Sequence, residues 1–209
     1  AALRAVEVGL AKGLDAGLAC EAAEFGELAV SAVSRQLVGI YFATQALKKD
    51  TGVKVSVTPR KVERLAVLGG GLMGAGIAFV SADKGIAVRI KERSPEDAAR
   101  GVKLVADLVA GRVKRRSITS REGEALLARI TATAETGGFR RTDLIIEAVF
   151  EDLALKQQLL RQFETLTGEG TVFASNTSSL PITQIAAAAA RPAQVLGMHF
   201  FSPGEKMPL

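Results

Sequence analysis

Arg64-Leu-Ala-Val-Leu-Gly-Gly-Gly-Leu-Met-Gly74 is the stretch on which the reading of the fold turns. Its first five residues are a short, mostly apolar run that stops at three glycines, the pattern of a buried strand entering a tight turn. Leu72 to Lys84 suits a helix, and Gly85 stands where such a helix finds its C′ glycine. Gly69, Gly71 and Gly74 thus satisfy G-x-G-x-x-G between a strand and a helix, and each has its own physical task. Gly69 permits the turn. Gly71, lacking a side chain, lets the backbone approach a pyrophosphate. Gly74 lets the helix pack closely on the strand. The unpaired N–H groups around Leu72, at the positive end of the helix dipole, then face the phosphates.

The next strand, Ile86 to Ile90, leads to an acid. Glu92 lies 92 − 74 = 18 positions after the last glycine, against the roughly 20 expected of the residue that accepts hydrogen bonds from the adenosine ribose. A carboxylate there would repel a 2′-phosphate, which favours NAD over NADP. Lys91 and Arg93 flank it and leave room for NADP, and a solvated acid at a strand end is the alternative to the ribose contact. Ser94-Pro95-Glu96-Asp97 starts a helix, with Ser as N-cap and acids in the first turn. Val102, Val105, Leu108 and Val109 are its expected buried face. Thr119 with Glu122 resembles a capping box. Ile130 to Thr133 reads as a strand, and Leu144 to Phe150 as a strand covered on both faces. A helix over Leu153 to Leu166, a strand over Thr171 to Ala174, a helix from about Pro181 and a strand over Val195 to Phe200 follow. Alanines 186 to 190 read as the small-residue face of a helix. This alternation predicts an α/β, Rossmann-type fold: a mostly parallel sheet with helices on both faces.

A short helical segment precedes it. Leu3, Val6, Leu10 and Leu14 recur at helical spacing, as do Leu28, Val33, Leu37, Ile40 and Ala43, with breaks expected at Gly13, Gly17 and Gly26. Residues 50 to 61 read as a linker. The expected organisation is helices over 1–49, a linker over 50–61 and a dinucleotide-binding domain over 62–209.

Composition agrees with a globular chain: 48% hydrophobic and 23% charged residues, with a formal net charge of +5. The charge suits small anions such as nucleotides. With nine Phe, one Tyr and no Trp, no basic-and-aromatic stacking pattern supports a nucleic-acid partner. The apolar runs are too short for a transmembrane segment. Cys20 is the only cysteine and has no neighbours at metal-site spacing, so neither a disulfide within the chain nor a metal site is expected.

The reaction is suggested by three longer motifs: Glu147-Ala-Val-Phe-Glu-Asp-Leu-Ala-Leu-Lys156, Ser175-Asn-Thr-Ser-Ser-Leu180 and Gly197-Met-His-Phe-Phe-Ser-Pro203. Together with the glycine loop, they closely resemble the 3-hydroxyacyl-CoA dehydrogenase family over residues 62 to 209. Phe25-Gly-Glu-Leu28 and Tyr41 to Asp50 are similar to the segment that joins an enoyl-CoA hydratase domain to the dehydrogenase in the multifunctional β-oxidation α-subunits. The resemblance implies that His199 is the catalytic base, taking the proton of the 3-hydroxyl as hydride leaves C3 for the nicotinamide. It implies that Ser178 hydrogen-bonds the reacting oxygen close to the nicotinamide, and that Met73, Val149, Phe150, Glu151, Lys156 and Asn176 contact NAD. Other readings stand beside these. His199, the only histidine, is at a strand end where a structural role is common. Ser178 also suits the cap of the helix near Pro181, and Lys156 an exposed helix position. The basic run Arg112-Val-Lys-Arg-Arg116 reads as a solvated helix end or a contact for coenzyme A phosphates.

Ser202 stands where the family usually has a cofactor-contacting Asn, and its reach is shorter. The resemblance also places a glutamate that pairs with the histidine two residues past Leu209, and after it a helical domain with a catalytic asparagine. The 209-residue chain is therefore expected to be a piece that binds NAD with negligible turnover. The longer protein is expected to act on acyl-CoA, to pair with a thiolase β-subunit, and to reside in a bacterial cytoplasm or, in a eukaryote, the mitochondrial matrix. A stand-alone 3-hydroxybutyryl-CoA dehydrogenase and a non-catalytic NAD-binding module are the alternatives.

Overall fold

The computed structural model describes residues 1–50, 52 and 57–204. The expected linker at 51 and 53–56, and the Met207-Pro-Leu209 stretch, lie outside the described residues. The chain divides into two compact units, Ala1–Pro59 and Arg60–Leu209.

The first unit holds α1 (Ala2–Lys12), α2 (Leu14–Ala29) and α3 (Ala32–Lys49). Gly13, at φ +92°, makes the α1–α2 joint. The breaks expected at Gly17 and Gly26 do not occur, since both lie inside α2. Gly17 serves close packing: a Cβ there would sit 2.8 Å from the Cα of Gly9 in α1. The second break falls instead at Val30–Ser31, where the Ser31 hydroxyl caps α3 by accepting from Ser34 N at 3.1 Å.

The second unit alternates strands and helices: β1 (Arg64–Leu68), α4 (Leu72–Asp83), β2 (Ala87–Lys91), α5 (Pro95–Lys114), α6 (Ser120–Leu127), β3 (Ile130–Thr133), β4 (Leu144–Glu147), α7 (Leu153–Leu166), β5 (Val172–Ser175), α8 (Ile182–Ala186) and β6 (Val195–Gly197). The six strands form one sheet in the order β3-β2-β1-β4-β5-β6, and every pairing is parallel. Alternate strand residues build two cores. Leu65, Val67, Val88, Ile90 and Ile146 face α4, α5 and α6. Ala66, Leu68, Ile145 and Phe173 face α7 and α8, where Phe139 and Phe163 meet edge to face at 5.1 Å. The Rossmann-type class expected from the sequence is the observed one.

Four local expectations need correction. Val102 is 38% exposed. The inner face of α5 is Ala98, Gly101, Val105 and Val109, because the helix crosses the glycine loop at Gly101, whose added Cβ would lie 3.2 Å from Gly70 O. β4 ends at Glu147 and leaves Phe150 80% exposed. The Glu147 side chain captures Val149 N at 2.8 Å, turning the chain out of the sheet. β6 spans Val195–Gly197 only. The alanine run does not continue α8, for the Glu164 carboxylate accepts from Ala190 N and Arg191 N at 2.8 and 2.9 Å and draws the chain away.

Candidate cofactor-binding and catalytic site

Register fixes where the site residues lie. Thr133, Lys91, Leu68, Glu147, Ser175 and Gly197 form one row across the sheet. Because the strands are parallel, everything just past that row shares the carboxyl edge: Gly69 to Met73, Glu92, Val149 to Glu151, Asn176 to Ser178, and His199. The strand order reverses between β1 and β4, and the crevice at such a switch point is where ligands of open α/β sheets bind.

The glycine loop has the geometry its motif demands. Gly69 has φ +94°, and a Cβ there would meet Ala148 O at 2.8 Å. A Cβ on Gly74 would fall 1.8 Å from Gly69 O. Gly71, by contrast, has nothing within 4 Å of the same position, so the space above it is open. Gly71 caps α4 without a side-chain bond, and the N–H groups of the first turn, Leu72 and Met73 included, have no intrahelical acceptor. An open cradle, free N–H groups and a helix dipole fit the pyrophosphate of a dinucleotide. Glu92 reaches the loop from β2, and its Oε1 accepts from Gly70 N at 2.5 Å. The carboxylate thus stands at the rim of the cradle.

Beyond β4 lies a buried ionic network that only partly shows in the sequence. Glu147 is 0% and Lys156 1% exposed. Lys156 Nζ donates to both Glu147 oxygens at 2.7 and 2.9 Å and lies 3.3 Å from Glu151 Oε2. Ser175 Oγ donates to Glu147 Oε2 at 2.6 Å. Lys156 is therefore a buried cation rather than an exposed helix residue. Glu151 Oε1 in turn accepts from Thr177 Oγ1 and, at 3.1 Å each, from Ser178 N, Ser179 N and Ser179 Oγ. Burial opposes ionisation of Glu151, but the bonds from Thr177 and Ser179, with Lys156 behind them, hold its pKa down to about 2. The network thus runs from the core to the backbone of Ser178. Glu147, Ser175 and Thr177 went unassigned in the sequence reading. The available signal was an acid inside an apolar strand run, which requires a buried partner.

The last strand carries the histidine. Met198 N donates to Ser175 O at 2.9 Å, and Phe200 N donates to Asn176 Oδ1 at 2.7 Å, so His199 lies between two anchored residues. Asn176, expected to touch the cofactor, spends its carbonyl on this anchor. The His199 ring is exposed and meets Phe201 edge to face at 4.9 Å. The segment then runs to the glycine loop, where a Cβ on Gly204 would lie 3.8 Å from Met73 Cε. Val149 packs on the loop, its Cγ1 3.2 Å from the Cβ position of Gly69. Ser178 and Ser202 are exposed. Among the described residues, no group of three or more His, Cys, Asp or Glu side chains forms a metal site, and no helix is long and apolar enough to cross a membrane.

Parallel order, glycine cradle and acidic rim define a dinucleotide-binding α/β domain. Residues 64–209 match the family model described as 3-hydroxyacyl-CoA dehydrogenase, NAD binding domain. The chain belongs to that family, whose cofactor is NAD. It is 51% identical over 205 residues to the fatty acid oxidation complex subunit alpha of Shewanella amazonensis, covering 98% of this chain and 29% of the relative. Among solved structures it is similar to the (S)-3-hydroxybutyryl-CoA dehydrogenase PaaH1 of Ralstonia eutropha, with TM-score 0.69 and 35% identity, over 71% of this chain and 53% of that one. It is also similar to the 3-hydroxybutyryl-CoA dehydrogenase of Escherichia coli, with TM-score 0.68 and 36% identity, over 71% of this chain and 31% of that one. The chain spans less than a third of the length of the curated relatives it matches.

Proposed function

We propose that the chain is the NAD-binding part of a 3-hydroxyacyl-CoA dehydrogenase within a multifunctional fatty-acid β-oxidation subunit, oxidising a (3S)-3-hydroxyacyl-CoA to the 3-oxoacyl-CoA. The observation that carries the reading is the convergence of the glycine cradle, Glu92, the Ser178 loop and His199 on one sheet edge. Bound NAD supplies the hydride acceptor. Gly71 and the first turn of α4 would hold its pyrophosphate, and Glu92, at the rim of the cradle beside Gly70 N, would accept from the ribose hydroxyls. Met73, Val149, Phe150, Glu151, Lys156, Asn176 and Ser202 complete the cofactor side, with Lys156 acting through Glu151. His199 takes the proton of the substrate hydroxyl, while Ser178 hydrogen-bonds the reacting oxygen.

Membership of a larger complex is supported by the N-terminal helices. The match to the α-subunit covers almost the whole chain, whereas the matches to the two 3-hydroxybutyryl-CoA dehydrogenases cover 71% of it. On this reading residues 1–49 belong to the end of a preceding hydratase module and its connecting helices, residues 50–61 link them to the NAD domain, and a thiolase β-subunit is the expected partner. In the full-length protein, His199→Ala is expected to abolish dehydrogenation and leave NADH affinity within about twofold of wild type. Wild-type turnover in that variant would mean that the domain binds the cofactor without supplying the base.

A further inference from the structure

The opposite edge of the same sheet carries a second concentration of charge. Where β1, β4 and β5 begin, a recess of about 300 Å³ is lined by Arg60, Arg64, Arg140 and Arg141, with Asp143 as the one acid in its wall. That acid is already engaged, its Oδ2 accepting from Glu63 N at 2.9 Å and Arg64 N at 2.8 Å. Glu63 pairs outward with Lys61 at 2.9 Å. Arg60 is fixed in the wall, donating to Gly170 O at 2.5 Å and Asp143 O at 3.4 Å. Thr171 Oγ1 donates to Thr142 O at 2.6 Å, which satisfies a further wall hydroxyl. No side-chain hydrogen bond or ion pair is found for Arg64, Arg140 or Arg141 among the described residues.

Four arginines against the single carboxylate of Asp143 leave the recess with an excess of positive charge, and a bound anion offsets that excess. The planar, forked donors of arginine match phosphate oxygens two at a time. The wall around them is already bonded, so filling the recess requires no rearrangement of the sheet. A five-residue strand at about 3.3 Å per residue separates this edge from the cofactor edge by roughly 15 Å, too far for one phosphate group to serve both.

We propose that this recess is a second anion site, specific for a phosphate or pyrophosphate group, on the sheet edge opposite the cofactor. It goes beyond the dehydrogenase reading and does not depend on it. Free phosphate and the nucleotide end of coenzyme A present the same chemistry.

The test is calorimetric titration of the 209-residue chain at low salt with inorganic pyrophosphate and, separately, with coenzyme A. NADH is added beforehand to fill the cofactor edge. One saturable site is expected, weakened about tenfold or more in Arg140→Ala/Arg141→Ala. Arg140→Lys/Arg141→Lys keeps the charge but loses the fork, and a loss of several-fold is expected there too. NADH affinity, read by its fluorescence, should stay within about twofold of wild type in both variants. Equal affinity for the two probes identifies a free-phosphate site, and tighter coenzyme A a nucleotide site. Absence of saturable binding, or a lysine variant that binds like wild type, overturns the proposal. Because the cofactor titration is separate, failure of NADH to bind counts against the dehydrogenase reading alone.

Discussion

Two glycines of one motif are held for different reasons, and single substitutions separate them. A methyl group at Gly74 has no room, its Cβ falling 1.8 Å from Gly69 O. Gly74→Ala is expected to destabilise the domain by about 1–3 kcal/mol in denaturant unfolding and to lose NADH binding with it. A methyl group at Gly71 meets open space in the free protein. Gly71→Ala should therefore unfold within about 0.5 kcal/mol of wild type, yet bind NADH about tenfold or more weakly because the methyl stands where the pyrophosphate must approach. Equal stability of the two variants would contradict the packing account. Glu151 makes a pH prediction. Its folded pKa of about 2 lies below the ordinary 4.5, so its stabilisation is fully present above the ordinary value and is lost as pH falls through the folded one. Comparing melting temperatures of wild type and Glu151→Gln should show the largest difference above about pH 5 and convergence towards about pH 2. A gap that is constant over that range would show that Glu151 does not titrate as the geometry requires.

At the level of elements, the Glu147–Lys156 pair ties the end of β4 to α7, and Ser175 joins β5 to the same carboxylate. A buried pair is weak evidence of net stability, but removing one partner strands the other. Lys156→Met is expected to cost about 3–5 kcal/mol. Glu147→Leu/Lys156→Met should recover much of that loss while still weakening NADH binding, since Glu151 would lose the cation behind it. A double variant no more stable than the single one would refute the view that the stranded Glu147 charge is the main penalty. The strands, the α5 and α6 caps and the glycine turn could be read from the sequence because each is set by neighbours along the chain: Ser94 and Thr119 cap the helices they precede. The ends of β4 and β6, the tilt of α5 at Gly101 and the alanine turn could not, because distant or side-chain partners set them. Glu164 draws the alanine run out of its helix across 26 residues of sequence. Glu147 ends its own strand only because its side chain turns back on Val149. Gly17 reads as a break in sequence, yet the partner that explains it, Gly9, is in another helix.

At the scale of the whole domain, the parallel order places chemistry-bearing residues far apart in sequence on one edge, and that convergence supports the cofactor reading. That the motif residues fall on this edge was legible because each motif follows a strand. What was not legible was how they are held: Asn176 anchors the backbone beside His199, and Lys156 is buried in the core on Glu147. The central claim is that NAD docks on the glycine cradle with Glu92 at its ribose. The ratio of NADH to NADPH affinity for this chain, measured by fluorescence titration, tests it most directly. NADH should bind about tenfold or more tightly, because a 2′-phosphate would meet the Glu92 carboxylate. Equal affinity for the two, or a preference for NADPH, would contradict it.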